Sequence, residues 1–381
     1  MRRRGRADRA GGLMPTGSMI AAGPRTHRPE PAAPGGRAVA RRRRIARAML
    51  AALAVALLLA MLAACSIGAY RLTPAQMLAA LLSPDDAAQR QARAVLIGIR
   101  APRVVLAALV GLGFGSAGAA MQALFRNPLA DPGLVGVSSG AALGASALIV
   151  LGPLVAAGPV PALSLPVAAF LGALVVTALV YRLAATRGRL AVPLLLLAGI
   201  AINALAGAAI GLLTYIASDA QLRSLTFWSL GSVGGAQWST LAAVAPFALA
   251  ATAWLARERH ALNALQLGET EALHLGVPVQ RVKRGVLLAT ALGIGSLVSC
   301  TGVIGFIGLV APHCVRLVCG PDQRVVMPGA ALLGALLVVV ADLAARTVAA
   351  PVEIPLGILT ALIGAPFFLA LLRKSREAFG G

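Results

Sequence analysis

Ten runs of 17 to 24 mostly apolar residues, spaced along a chain of 381, leave few folds open. They cover residues 46–67, 101–123, 134–152, 161–184, 191–214, 239–256, 284–301, 303–319, 328–345 and 355–372. Roughly 20 apolar residues in a helix cross the ~30 Å hydrocarbon core of a bilayer. In lipid only helices and closed barrels satisfy their own backbone hydrogen bonds. Barrel strands alternate polar with apolar residues and carry aromatic girdles. These runs are continuous, and aromatics make up only 4% of the chain. The expected fold is an all-α membrane protein with ten transmembrane helices. Charged residues are 12% of the chain, about half the usual ~25% of a soluble domain, so a water-soluble enzyme is excluded. The last pair of expected spans before residue 320 is one long apolar stretch, cut by Gly302, Gly305 and Gly308.

The net charge of +21 is unevenly placed. Residues 1–47 hold 13 of the 34 Lys and Arg, with only Asp8 and Glu30 against them. No basic stripe interleaved with aromatics points to nucleic acid. Lys and Arg collect in cytoplasmic loops, and a ten-span topology with both termini cytoplasmic puts 27 basic residues inside and seven outside. Residues 1–45, rich in Arg, Gly, Ala and Pro without periodicity, read as a disordered basic cytoplasmic tail. Residues 46–374 read as the membrane domain and 375–381 as a cytoplasmic C-terminus. The run Arg41-Arg42-Arg43-Arg44 before an apolar stretch resembles a signal peptide, but is better read as the inner end of an uncleaved first span. Seven outer arginines stay unexplained by topology: Arg71, Arg90, Arg93, Arg100, Arg103, Arg223 and Arg346.

The chemistry is sparse. The two lysines, Lys283 and Lys374, do not follow glycines, so no GxxxxGK[ST] phosphate loop exists. If ATP drives this chain, another polypeptide hydrolyses it. Asp342 is the main intramembrane carboxylate; Arg346, one helical turn later, suggests a local ion pair. His27, His260, His274 and His313 lack metal-ligand spacing, and Cys65, Cys300, Cys314 and Cys319 form no CxxC pair. No catalytic residue, metal site or cofactor is expected in the chain.

Two inner loops carry more information. In residues 262–276, Gly268 splits a helical pattern, Glu269 and Glu271 open the second piece, and Ala272, Leu273 and Leu275 form its apolar side before Gly276. Acids at a helix start suit the dipole, but they disfavour an anionic lipid surface. A helix docking into a protein partner fits better. The loop Arg126–Gly133 is stiffened by Pro128 and Pro132 and carries Asn127, Leu129 and Asp131. It is either a plain connector or a constriction at the inner mouth of a path. Tyr215, Phe227, Trp228 and Trp238, with Arg223, gather around the outer ends of spans five and six. They suit an interfacial belt, or a surface on which a flat anionic molecule stacks.

Several motifs resemble the permeases of iron-chelate and vitamin B12 ABC importers. They are Ile99-Arg100-Ala101-Pro102-Arg103, the run Met121–Gly136, Phe227–Ser232, Leu267-Gly268-Glu269, Gly305–His313, and Glu353–Gly357 leading to Gly364–Phe368. The likeness covers about residues 46–374 and is greatest to the haem-import branch; Ala101 departs from it, where a leucine is usual. The resemblance implies a type II ABC importer permease in a bacterial inner membrane, acting as a homodimer. Two ATPase subunits binding ATP and Mg would lie below, and a periplasmic haem-binding protein would deliver haem above. Arg100, Arg103 and Arg346 would dock the binding protein. Gly268, Glu269, Glu271, Leu273 and Gly276 would couple to the ATPase, and Asn127 and Leu129 would gate the inner exit. Arg223, Phe227 and Trp228 would mark substrate entry. A ferric siderophore or cobalamin is the alternative cargo, and an ion-coupled secondary carrier is the rival outside this family.

Overall fold

A computed structural model describes residues 35–82, 89–155, 163–186 and 188–379. The chain separates into two units, Met1–Arg41 and Arg42–Gly381, and every site residue discussed below belongs to the second. Its helices, in order, are α1 (Gly35–Ser66), α2 (Pro74–Leu82), α3 (Arg90–Arg93), α4 (Ala101–Phe125), α5 (Val137–Val155), α6 (Ser164–Ala184), α7 (Val192–Ile216), α8 (Asp219–Leu230), α9 (Trp238–Arg257), α10 (Arg259–Leu267), α11 (Glu269–His274), α12 (Val279–Thr301), α13 (Ile307–Cys319), α14 (Gln323–Ala345) and α15 (Leu356–Phe379). Seven are long and apolar enough to cross a membrane, and the apolar parts of α5, α13 and α15 are shorter. Together they coincide with the ten expected spans, so the all-α membrane fold stands.

Three differences from the sequence reading have plain causes. First, α1 begins at Gly35, inside the segment expected as tail; Arg and Ala are strong helix formers and extend the span backwards. Residues 1–34 lie outside the described residues. Second, the span expected at 101–123 is the inner part of a longer helix, Arg90–Phe125. A π-helical turn, Ala94–Arg100, joins α3 to α4, and Pro102 sits where a helix start tolerates it. Third, the outer helices α2 and α8 and a two-stranded hairpin (β1 Ala185–Thr186, β2 Arg189–Leu190) lie between spans. Ser218 and Gln221 form a reciprocal capping box at the start of α8.

Packing separates a centre from a periphery. The apolar windows of α4, α12 and α14 are 83%, 72% and 61% buried, whereas those of α1 and α7 are 6% and 17% buried. Glycine explains why α4 can sit in the middle. A Cβ at Gly111 would lie 2.1 Å from the Gly334 carbonyl oxygen of α14, one at Gly115 2.0 Å from that of Ala330, and one at Gly118 1.8 Å from that of Gly308 in α13. Any side chain there would drive the helices apart. Small residues are the usual route to close helix packing in lipid, where water supplies no hydrophobic drive between helices. The α5–α6 pair repeats the device, with Gly144 against Ala168 and Gly172 against Gly140.

Candidate functional site

At the outer ends of the spans, the three arginines expected to face a partner are turned inward. Arg100 and Arg103 are buried, and the Arg346 side chain is 8% exposed. Two of them finish α1. The last carbonyls of a helix have no partner within it; here Arg100 donates to Cys65 O at 2.7 Å and Ser66 O at 2.9 Å, and also to Tyr70 O. Arg346 donates to Ala64 O.

Arg103 is the hub of a second network. It donates to both carboxylate oxygens of Asp342, at 2.9 to 3.2 Å, and to both of Glu353, at 2.8 and 3.0 Å. Arg346 Nε approaches Asp342 at only 3.7 Å. The expected Asp342–Arg346 pair is therefore present but long, and Asp342 chiefly serves an arginine from another span. Glu353 precedes α15 and its side chain is half-exposed; its hydrogen bonds with Arg103 hold its carboxyl below the usual carboxylate range.

At the opposite end, α10 and α11 are separate helices, broken at Gly268 as the sequence suggested. Gly268 holds φ 141°, and a Cβ there would lie 1.8 Å from Glu271 Oε2, so both conformation and space require glycine. Leu262 and Leu265 of α10 are buried. Asn263 ties α10 to the start of α14, donating to Asp322 at 2.8 Å and accepting from Gln323 N at 2.7 Å. By contrast, Leu267, Leu273 and Leu275 are 68%, 58% and 66% exposed, with Glu271 and Gly276 exposed beside them.

Beneath this apolar surface lies a residue that sequence reasoning passed over. Lys283 of α12 is 1% exposed. It donates to Glu269 Oε1 at 2.5 Å and to Leu190 O at 2.9 Å. Glu269, the first residue of α11, is thereby tied to a central span. The available signal was compositional: a chain that otherwise uses arginine places one of its two lysines here. The lysine is the buried partner: its single compact charge on a flexible stem reaches the partly exposed Glu269 from inside the bundle.

The remaining expected residues are less concentrated. Asn127 is exposed and its side-chain oxygen accepts from Leu129 N at 2.9 Å, forming a tight turn after the left-handed Arg126. Leu129 is half-buried. Arg223 and Phe227 lie one turn apart on α8, both exposed, whereas Trp228 packs against the core. Trp238 donates its indole N–H to Ile97 O at 2.8 Å. Among the described residues no group of His, Cys, Asp and Glu could hold a metal ion.

The family model of the FecCD transport family matches residues 55–374. The chain belongs to the FecCD transport family. It is a permease of the iron-chelate and vitamin B12 type. The hemin transport system permease HmuU of Yersinia pestis is 49% identical over 292 residues, 75% of this chain and 85% of that one. The cobalamin import permease BtuC of Halobacterium salinarum is 45% identical, over 73% of each chain. The vitamin B12 import permease BtuC of Salmonella typhi is 40% identical, over 77% of this chain and 88% of its own. An inward-facing structure of a metal-chelate type ABC transporter superposes with a TM-score of 0.75 at 30% identity, covering 86% of this chain and 99% of that one. The permease is thus a multi-pass membrane protein of an ABC importer.

Proposed function

We propose that this permease moves haem from a periplasmic binding protein to the cytoplasm by alternating access. It works as a homodimer in a bacterial inner membrane, with both termini inside. Two ATPase subunits bind ATP and Mg and hydrolyse the nucleotide. The observation that carries this reading is the α10–α11 turn, where Leu267, Leu273 and Leu275 are exposed and Glu269 is bonded to Lys283 of α12. Exposed apolar side chains at such a turn are covered by a groove on another protein. The salt link gives motion of α11 a rigid route into α12, which packs on α4, α6 and α9. In this scheme Glu269, Leu273, Gly268 and Gly276 couple nucleotide closure to the spans, and Glu271 lies at the docking rim. Asn127 and Leu129 narrow the inner exit.

Docking of a binding protein on the outer face works through the arginine network. Direct pairing of Arg103 with a partner's acids requires it to release Glu353, the half-exposed member. Arg100 and Arg346 shape that face by closing α1. Arg223, Phe227 and Trp228 stand near substrate entry. The haem assignment draws on the 49% identity to the hemin permease, against 45% and 40% for the two cobalamin permeases. In proteoliposomes containing permease, ATPase and binding protein, haem should raise ATP hydrolysis and accumulate inside. Stimulation by cobalamin or a ferric siderophore, with no response to haem, would overturn the cargo. Full coupling in a Leu273→Glu permease would overturn the docking helix.

A further inference from the structure

The flank of the bundle between α6 and α12 contains a groove unrelated to either polar cluster. It encloses about 420 Å³ and is lined by Leu174, Thr177, Tyr181, Arg284, Leu288 and Leu292, among others. Its walls are almost wholly apolar, with one charged residue, Arg284, at the end near Tyr181. From Arg284 to Leu292 is eight residues, or ~12 Å of helix at 1.5 Å per residue. Half of a ~30 Å hydrocarbon core is ~15 Å. The groove is therefore about as deep as one leaflet, with its charge at one end.

Four observations define its occupant. Leu288 is 49% exposed and Leu174 and Leu292 are half-buried, so the groove is open enough for an acyl chain to lie in it. Arg284 is exposed and donates through Nη2 to Gly188 O, which fixes the guanidinium and leaves other N–H groups free. Arg182 of α6, Arg281 of α12 and Arg189 of β2, the strand after α6, are exposed. Thr177 Oγ1, one turn deeper than Tyr181, is buried without a partner among the described residues. Its hydroxyl is closed off from the groove, so the wall deeper than Tyr181 meets an occupant through apolar atoms.

We propose that this groove binds one anionic phospholipid, its phosphate on Arg284 and one acyl chain along α6 and α12. Basic pockets between spans are suited to anionic headgroups. The leaflet is the cytoplasmic one in the orientation proposed above; the identity of the cargo does not enter. The test is native mass spectrometry of the full chain, purified in neutral detergent and titrated with phosphatidylglycerol or phosphatidylcholine. Wild type should retain one phosphatidylglycerol per chain at least tenfold more tightly than phosphatidylcholine. Arg284→Ala should bring the two lipids level, and Leu288→Trp should lose both. Equal retention of the two lipids by wild type overturns the site, and this arm needs no variant to fold. So does unchanged binding in both variants. A disulfide between copies through Leu288→Cys in native membranes would assign the groove to a second protein chain and overturn the lipid.

Discussion

The outer arginine network and the inner α10–α11 turn are both polar clusters at the ends of apolar spans, yet they are closed in opposite ways. Outside, Arg100, Arg103 and Arg346 find all their close partners within the chain: helix-end carbonyls, Asp342 and Glu353. Inside, Glu269 is satisfied by Lys283, but the leucines above it stay exposed. The outer cluster pairs most of its charge within the chain, and leaves Arg346 Nε without a hydrogen bond among the described residues. The inner one pairs its charges and leaves Leu267, Leu273 and Leu275 exposed. The difference teaches that charge alone is a poor guide to an interface in such a chain. What remains uncovered after the charges are paired is the better one.

The sharpest way to break this contrast is Arg103→Ala. Removing one partner of a buried ionic network typically costs about 3–5 kcal/mol, because the remaining charge is stranded; here Asp342 would be left with the distant Arg346. The melting temperature in detergent should fall clearly, and an unchanged value would mean that the outer cluster does not hold the bundle. Next is Leu273→Glu. The side chain is exposed, so folding stability should stay within about 0.5 kcal/mol, while affinity for the ATPase should drop at least tenfold, or ~1.4 kcal/mol. Equal binding would show that the exposed leucines cover nothing.

A smaller effect is expected from Lys283→Met, because Glu269 is 38% exposed and can turn to water. Stability should change little, yet substrate-stimulated ATP hydrolysis should fall severalfold with ATPase binding retained. Loss of binding and coupling together would make the salt link part of the docking surface, not of the transmission. The smallest effect concerns acid. Asp322 caps α14 and is held at about 2 by hydrogen bonds from Arg324, against a usual 3.8. Its folded pKa is depressed, so its contribution is present above the usual value and is lost as pH falls toward about 2. Comparing wild type with Asp322→Asn across that window should show a slightly shallower loss of stability in the variant.

Much of the fold was legible because bilayer thickness imposes a length that sequence reports directly. The ten spans and the break at Gly268 follow from run length and glycine placement. The centre of the bundle was only partly legible. Gly111, Gly115 and Gly118 announced a close approach, but which helix they meet depends on a partner more than 180 residues away, at Gly308, Ala330 and Gly334. The bonds of the arginines were hidden for a related reason. Counting charges by topology places Arg100 and Arg346 outside, and cannot see that the final carbonyls of α1 are waiting for donors. Lys283 was hidden because its acid, Glu269, lies across a turn and its hydrogen-bond acceptor, Leu190, lies on another hairpin.

The finish of α1 has a consequence for assembly. The apolar stretch of α1 is only 6% buried in the finished bundle. Two of its last carbonyls are met by Arg100, and another by Arg346, which follows 282 residues later. A span that buries so little of its own surface is thus seated at its outer end by a near arginine and a far one together, so its last turn depends on the distant helix α14 being in place.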